Sequence, residues 1–266
     1  PCHSNAWTGT IKSPMKLYNN WFRSNQFELD DCEGDHFHAV IAGILRHDNI
    51  QRLLVFFGYK IYPEVVDALG KGLPQSKLQE LSLTIDMDAK TARILCHSIN
   101  LSKLTKCNLN RCGIYADAVD VLCRGLEDNT TLELLRLEYC RLRDDEVADL
   151  VRAVKHHPTL QELSFRGNYA QEDSIDTVAE LLRCTPALRR LDLAQQNPGI
   201  LDLSQLAQAL EKHPLKRLSL QANDIRDTGA AALPKMLRNN SSLLSIWSLC
   251  NRWVADGQKE FLNSIR

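Results

Sequence analysis

Apolar residues recur along this chain in the template Leu-x-x-Leu-x-Leu-x-x-Asn/Cys-x-Leu, which signals an internal repeat. The clearest copies are Leu104, Cys107, Leu109, Cys112, Ile114; Leu132, Leu135, Leu137, Cys140, Leu142; and Leu160, Leu163, Phe165, Asn168, Ala170. Two more follow at Leu215, Leu218, Leu220, Asn223, Ile225 and at Leu243, Ile246, Ser248, Asn251, Trp253. Copies opening at Leu188 and Leu78 are weaker, the one at Ile50 is degenerate, and Phe27, Leu29, Cys32 is a fragment. Copies that start at 50, 78, 104, 132, 160, 188, 215 and 243 are spaced by 28, 26, 28, 28, 28, 27 and 28 residues. In each copy the Leu-x-Leu core alternates apolar and variable residues, which predicts a short strand. A segment with helical spacing follows: Ala118, Val121, Leu122, Leu126; then Val147, Leu150, Val151, Val154; then Ile175, Val178, Leu181, Leu182.

Helix starts are expected at Asp117, Asp144 with Asp145, Ser174, and Asp227 with Thr228, residues suited to free N-terminal amides. Stops are expected at Pro158, Pro186 and Pro214, and Gly70 or Gly72 is expected in a left-handed helix end. One strand and one helix cannot cover their own apolar side, so the units must stack. The repeat resembles that of the ribonuclease-inhibitor-like leucine-rich repeat proteins over residues 26–266, about nine units. The resemblance implies an α/β solenoid with parallel strands on the concave face and helices on the convex face. The ninth template position (Cys112, Cys140, Asn168, Gln196, Asn223, Asn251) should turn the chain away from each strand.

Residues 1–25 fall outside the register. Trp7, Met15, Leu17, Tyr18, Trp21 and Phe22 suggest a cap over the open core, with a partner-binding arm as the alternative. Phe261, Leu262 and Ile265 complete the last helix, and the chain reads as a possible segment of a longer protein.

Composition narrows the setting. Lys and Arg total 32 against 33 Asp and Glu, so no global field favours nucleic acid or anionic lipid. The longest apolar runs, such as 39–45, fall far short of the roughly 18 residues a membrane span needs. Nine cysteines without a CxxC pair suggest reduced, buried thiols and a cytoplasmic protein, although a removed targeting signal is compatible with the start at Pro1.

Chemistry is sparse. His36 with His38 and His156 with His157 are the close histidine pairs, and neighbours in a helix do not share a face, so no metal site is expected. Gly70-Lys71-Gly72 lacks the flanking residues of a phosphate loop, and no Gly-x-Ser-x-Gly elbow occurs. Neither catalytic residues nor a cofactor are expected.

The informative residues are those expected to point out of the concave wall. The fifth position includes Leu54, Asn108, Arg136, Asp192 and Trp247, and the seventh Phe56, Asn110, Glu138, Arg166, Gln221 and Leu249. Leu54, Phe56 and Phe57 form one apolar patch, and Trp247 with Leu249 another. Trp and Arg dominate many protein interfaces. Trp247 therefore reads as a binding anchor or as packing under a terminal segment, and a cap over Phe56 and Phe57 competes with exposure. Arg136, Glu138, Tyr139 and Arg166 are candidates for a charged recognition spot, against a self-paired surface. Arg52, Lys106, Arg190 and Arg217 add basic groups, but interspersed acids and the lack of stacking aromatics disfavour nucleic acid. The expected function is recognition of another protein, as a binding, scaffold or inhibitory module. The alternatives are an activator of a small GTPase, which the resemblance allows, and a structural spacer.

Overall fold

The computed structural model describes residues 26–30, 37–56, 63–196 and 202–252. Its strands are β1 (Gln26–Asp30), β2 (Arg52–Phe56), β3 (Glu80–Thr84), β4 (Lys106–Asn108), β5 (Leu134–Arg136), β6 (Glu162–Ser164), β7 (Arg190–Asp192), β8 (Arg217–Ser219) and β9 (Ser245–Trp247). They make one parallel sheet in chain order. Between them run α1 (Phe37–Leu45), α2 (Pro63–Gly72), α3 (Ala89–Leu101), α4 (Ala116–Glu127), α5 (Asp144–Ala153), α6 (Glu172–Cys184), α7 (Ser204–Leu210), and the pair α8 (Asp227–Ala230) and α9 (Leu233–Asn239). The architecture is an α/β leucine-rich repeat solenoid. The expected N-terminal cap and the last apolar helix lie outside the described residues.

The repeat register is the strand register. Leu53, Leu81, Cys107, Leu135, Leu163, Leu191, Leu218 and Ile246 align across successive strands. All but Ile246 are buried in the shared core. The apolar stripes expected on α4, α5 and α6 are buried as well. Cutting one of these core leucines to alanine costs about 2–5 kcal/mol. Neighbouring strands sit ~4.8 Å apart, whereas packed helices need ~8–10 Å, so the stack bends with its strands inside.

Two local expectations need correction. Gly70 and Gly72 lie within α2, which runs on into a 3-10 turn at Leu73–Gln75, and Gly72 has φ −90° rather than a left-handed value. Their role is close approach: a Cβ on Gly70 would stand 2.6 Å from Ile94, and one on Gly72 2.5 Å from Leu45. The helix-start residues also work differently. Asp88 caps its own helix, accepting from the Thr91 amide at 2.7 Å. Asp144 is already inside α5, and its carboxylate accepts from the Gln171 and Ser174 amides of the next repeat at 2.6 and 3.2 Å. Asp117 likewise accepts from Ala89 of the preceding repeat at 3.4 Å. These carboxylates tie neighbouring helix starts together.

Where each strand ends, the ninth-position column forms a buried ladder. Asn168 Nδ2 donates to the Leu137 and Phe165 carbonyls, both at 2.7 Å, and its Oδ1 accepts from the Cys140 and Leu142 amides at 3.0 and 3.1 Å. Gln196, Asn223 and Asn251 repeat the pattern. Cys112 and Cys140 supply only thiol donors, to the Leu83 and Leu109 carbonyls at 3.4 and 3.0 Å. Burial pushes the Cys112 thiol up to about 12, so it stays protonated. Asp86 occupies this column in its repeat, but it is only half-buried and accepts from the Tyr115 hydroxyl at 3.4 Å. A carboxylate has no donor for the inner carbonyls, which is why it turns outward.

Just before the ladder, the eighth position is left-handed in six repeats: Arg111, Tyr139, Gly167, Gln195, Ala222 and Cys250 have φ between 51° and 70°. Non-glycine residues there cost roughly 1–2 kcal/mol apiece, offset by the ladder bonds that the turn makes possible.

A second polar column closes the opposite corner, where helix returns to strand. Asn129 Oδ1 accepts from the Thr131 and Leu132 amides at 3.0 and 2.9 Å, and Asn129 Nδ2 donates to Asn100 at 2.7 Å. The buried His157 ring lies 3.1 Å from Asn129 Oδ1 through Nε2, while its Nδ1 faces the Thr159 amide at 3.4 Å. Those partners fit a neutral ring protonated at Nε2, and burial holds its pKa below the ordinary value. His213 Nε2 meets the Thr185 carbonyl at 3.1 Å in the equivalent place, and burial lowers its pKa too.

Candidate functional site

Side chains at the fifth and seventh positions stand on the strand-lined wall, and the parallel register brings them into rows. Burial across the rows is uneven. Phe56 is half-buried on β2, and Phe57 lies outside the described residues. Asn108 is buried between Ser82 of β3 and Arg136 of β5, and its Oδ1 has no hydrogen-bond partner. Asn110 is half-buried and works within the wall, its Oδ1 accepting from the Glu138 amide at 3.0 Å.

The middle of the wall is a network of ion pairs. Glu162 on β6 receives Arg136 Nε from β5 at 2.9 Å and Arg190 from β7 at 2.9 Å on its other oxygen. Burial alone would raise its carboxyl pKa, but hydrogen bonds from these two arginines outweigh that and hold it below the usual value. Glu138 lies 4.0 Å from Arg136 and accepts from Ser164 Oγ at 2.8 Å. Arg166 pairs with Asp192 at 3.1 Å, and Asp192 also accepts from the Ala194 amide at 2.9 Å. Partly exposed pairs of this kind contribute ~0.2–1 kcal/mol each, so the network orients the wall more than it stabilises the fold.

Tyr139 sits at the rim of this network. The Arg111 guanidinium stands over its ring at 5.8 Å from the centroid, and its hydroxyl donates to Gln195. The ring fits because position 167 is glycine: a Cβ there would stand 2.3 Å from Tyr139 Cδ1. The aromatic ring is therefore exposed yet held by three repeats. Tyr115 and Tyr169, exposed on neighbouring strand-to-helix loops, were not among the sequence candidates. They fall off the strand positions, so the template carries no signal for them.

At the other end Gln221 is half-buried, Trp247 is 50% exposed and Leu249 is 72% exposed. Leu244, 77% exposed on the same terminal repeat, enlarges the apolar area and was also missed.

Among the described residues no group of three or more His, Cys, Asp or Glu side chains is placed to hold a metal. None of the described helices is long and apolar enough to cross a membrane. On the convex side an open groove of about 550 Å³ between α3 and α4 is lined by Arg93, His97, Arg124 and Asp128 among others. It has no buried polar group converging on it. Cys96, Cys107, Cys112, Cys123, Cys140, Cys184 and Cys250 are free thiols.

No protein-family model matches this sequence, and no curated protein matches it. The chain is similar to the solved structure of leiomodin-1 actin-binding site 2, at 17% identity over 59% of this chain and 78% of that one, with a TM-score of 0.39. It is similar to the tropomodulin C-terminal domain of Caenorhabditis elegans, at 13% identity over 75% of this chain and 90% of that one, TM-score 0.37. A chain of the yeast Rad7 and Elc1 complex matches at 18% identity over 83% of this chain and 68% of that one, TM-score 0.42. The class of this protein follows from its own strand order and repeat register: it is a leucine-rich repeat solenoid.

Proposed function

We propose that this chain is a recognition module that holds a folded protein against its strand-lined wall, as a binding, scaffold or inhibitory protein of the ribonuclease-inhibitor-like kind. One observation carries the reading: large apolar side chains, Trp247 and Leu249, stand exposed on the wall of a framework whose core leucines are buried. Contact groups fixed on rigid strands lose little conformational freedom when a partner arrives. The recognition set is Phe56, Phe57, Asn110, Arg136, Glu138, Tyr139, Arg166, Asp192, Gln221, Trp247 and Leu249, with the buried Asn108 left out of it. Free buried thiols at Cys107, Cys112 and Cys140 support a reducing, cytoplasmic setting.

The test is a photo-crosslinking residue introduced in turn at Asn110 or Gln221 on the wall and at Asp120 or Arg152 on the convex helices. In the native cell, the wall positions are expected to yield discrete protein adducts and the convex positions none. A spacer would give no adducts on the wall, and that result would overturn the proposal.

A further inference from the structure

The sheet register brings together cations that the sequence keeps apart. Arg190 on β7 and Arg217 on β8 are direct cross-strand partners. One residue earlier, the Lys216 and Arg217 amides donate to the Arg189 carbonyl at 2.8 and 3.0 Å, which sets Lys216 beside Arg189. Four cationic residues thus occupy two adjacent strand starts. Arg190 has Glu162, a carboxylate it shares with Arg136, and Arg189 donates to the Pro186 and Leu188 carbonyls. No carboxylate among the described residues pairs with Lys216 or Arg217, and Arg217 is exposed. Like charges directly opposite one another destabilise a sheet. Stability of the free chain therefore does not account for Arg217.

The strand on the other side is apolar. Ser245 aligns with Arg217 and Trp247 with Ser219, and Leu244 and Leu249 flank β9 on either side. Ser219 is buried, and its Oγ has no partner. Two cations without a carboxylate partner among the described residues, Lys216 and Arg217, thus lie one strand away from the exposed Leu244, Trp247 and Leu249.

Resting on the recognition function proposed above, we infer that this end of the wall docks an acidic protein segment that also carries large apolar side chains. Its carboxylates would neutralise Arg217 and Lys216, while its apolar groups cover Trp247 and Leu249. Charge complementarity favours an anion. A single-stranded nucleic acid fits less well, since Trp247 is the one aromatic on these three strands and Asp192 and Glu162 stand beside the arginines.

The experiment uses the full 266-residue chain and a fluorescein-labelled peptide in which Glu alternates with Leu and Phe, read by fluorescence anisotropy. Controls replace Glu by Gln, replace Leu and Phe by Ser, or use a labelled oligouridine. The acidic apolar peptide is expected to bind in a salt-sensitive manner and more tightly than any control. Arg217→Glu should weaken it on the order of tenfold or more. Because that change also relieves like-charge repulsion, the melting temperature of Arg217→Glu should stay level or rise, which separates lost binding from lost folding. Leu249→Ser should also weaken binding, and Lys90→Glu on α3 should leave it unchanged. Absence of peptide binding, equal binding of the Gln peptide, tighter binding of oligouridine, or indifference to Arg217→Glu would each overturn the inference. Wall adducts in the cross-linking experiment, together with any of those outcomes, would leave general protein recognition standing. Absence of wall adducts would remove both.

Discussion

Replacing Asn168 by alanine removes a side chain that is 1% exposed and makes four hydrogen bonds, two donated to carbonyls and two accepted from amides of the preceding repeat. A typical bond contributes about 0.5–1.5 kcal/mol net, and a buried group left unsatisfied costs about 1–3 kcal/mol. Relaxation and entry of a water recover part of this, which sets the expected loss at about 3–5 kcal/mol. Asn168→Cys restores a weak donor of the kind found at Cys140, so its loss should be smaller, about 1–3 kcal/mol. Urea denaturation gives the global change, and hydrogen exchange at the Cys140 and Leu142 amides gives the local one. Those amides should exchange far faster in Asn168→Ala, because Oδ1 is their acceptor. A loss below about 1 kcal/mol with unchanged exchange at both sites would refute the reasoning that the amide ladder locks one repeat to the next.

Acid should weaken the fold well above the carboxylate range. The pKa values of His157 and His213 are lowered in the folded chain, so the unfolded chain binds more protons as the pH falls through 6.5. The urea midpoint should therefore drop between pH 7.5 and 5, and a flat or rising midpoint would contradict the neutral-ring assignment. Gly167→Ala places a Cβ at φ +70° and 2.3 Å from the Tyr139 ring. It should cost about 2–4 kcal/mol, and less in a Tyr139→Ala background; a double-mutant cycle with no coupling would exclude the contact. Thiol mapping by mass spectrometry should find Cys184 and Cys250 labelled in the native chain, with Cys107, Cys112 and Cys140 labelled only on unfolding. Rapid native labelling of Cys140 would refute its buried placement.

The leucine template predicts the sheet register because identical core volume must recur at every strand, and the helical stripes are legible for the same reason. What the sequence conceals depends on neighbours one repeat away. Asp144 is the first residue of its own helix, as its sequence suggests, yet its carboxylate bonds to the start of the next one. Gly70 and Gly72 resemble a helix end because close approach to Ile94 and Leu45 leaves no local mark. The left-handed eighth position is hidden because five of its six residues are not glycine. The wall was legible as rows, but which members face solvent was not. Asn108 and Trp247 share a template position, and one is buried while the other is half exposed. Asn108 lies between β3 and β5, whereas Trp247 on β9 has a neighbouring strand on one side only among the described residues.

The central claim, that partners meet the strand-lined wall, is tested most directly by hydroxyl-radical footprinting of the chain alone and in its native complex. Oxidation at Trp247, Leu249 and Tyr139 should fall when the partner is bound, while the exposed Leu101 at the end of α3 stays unchanged. Protection of Leu101 with unaltered oxidation of Trp247 and Leu249 would place the partner on the helical side and contradict the account.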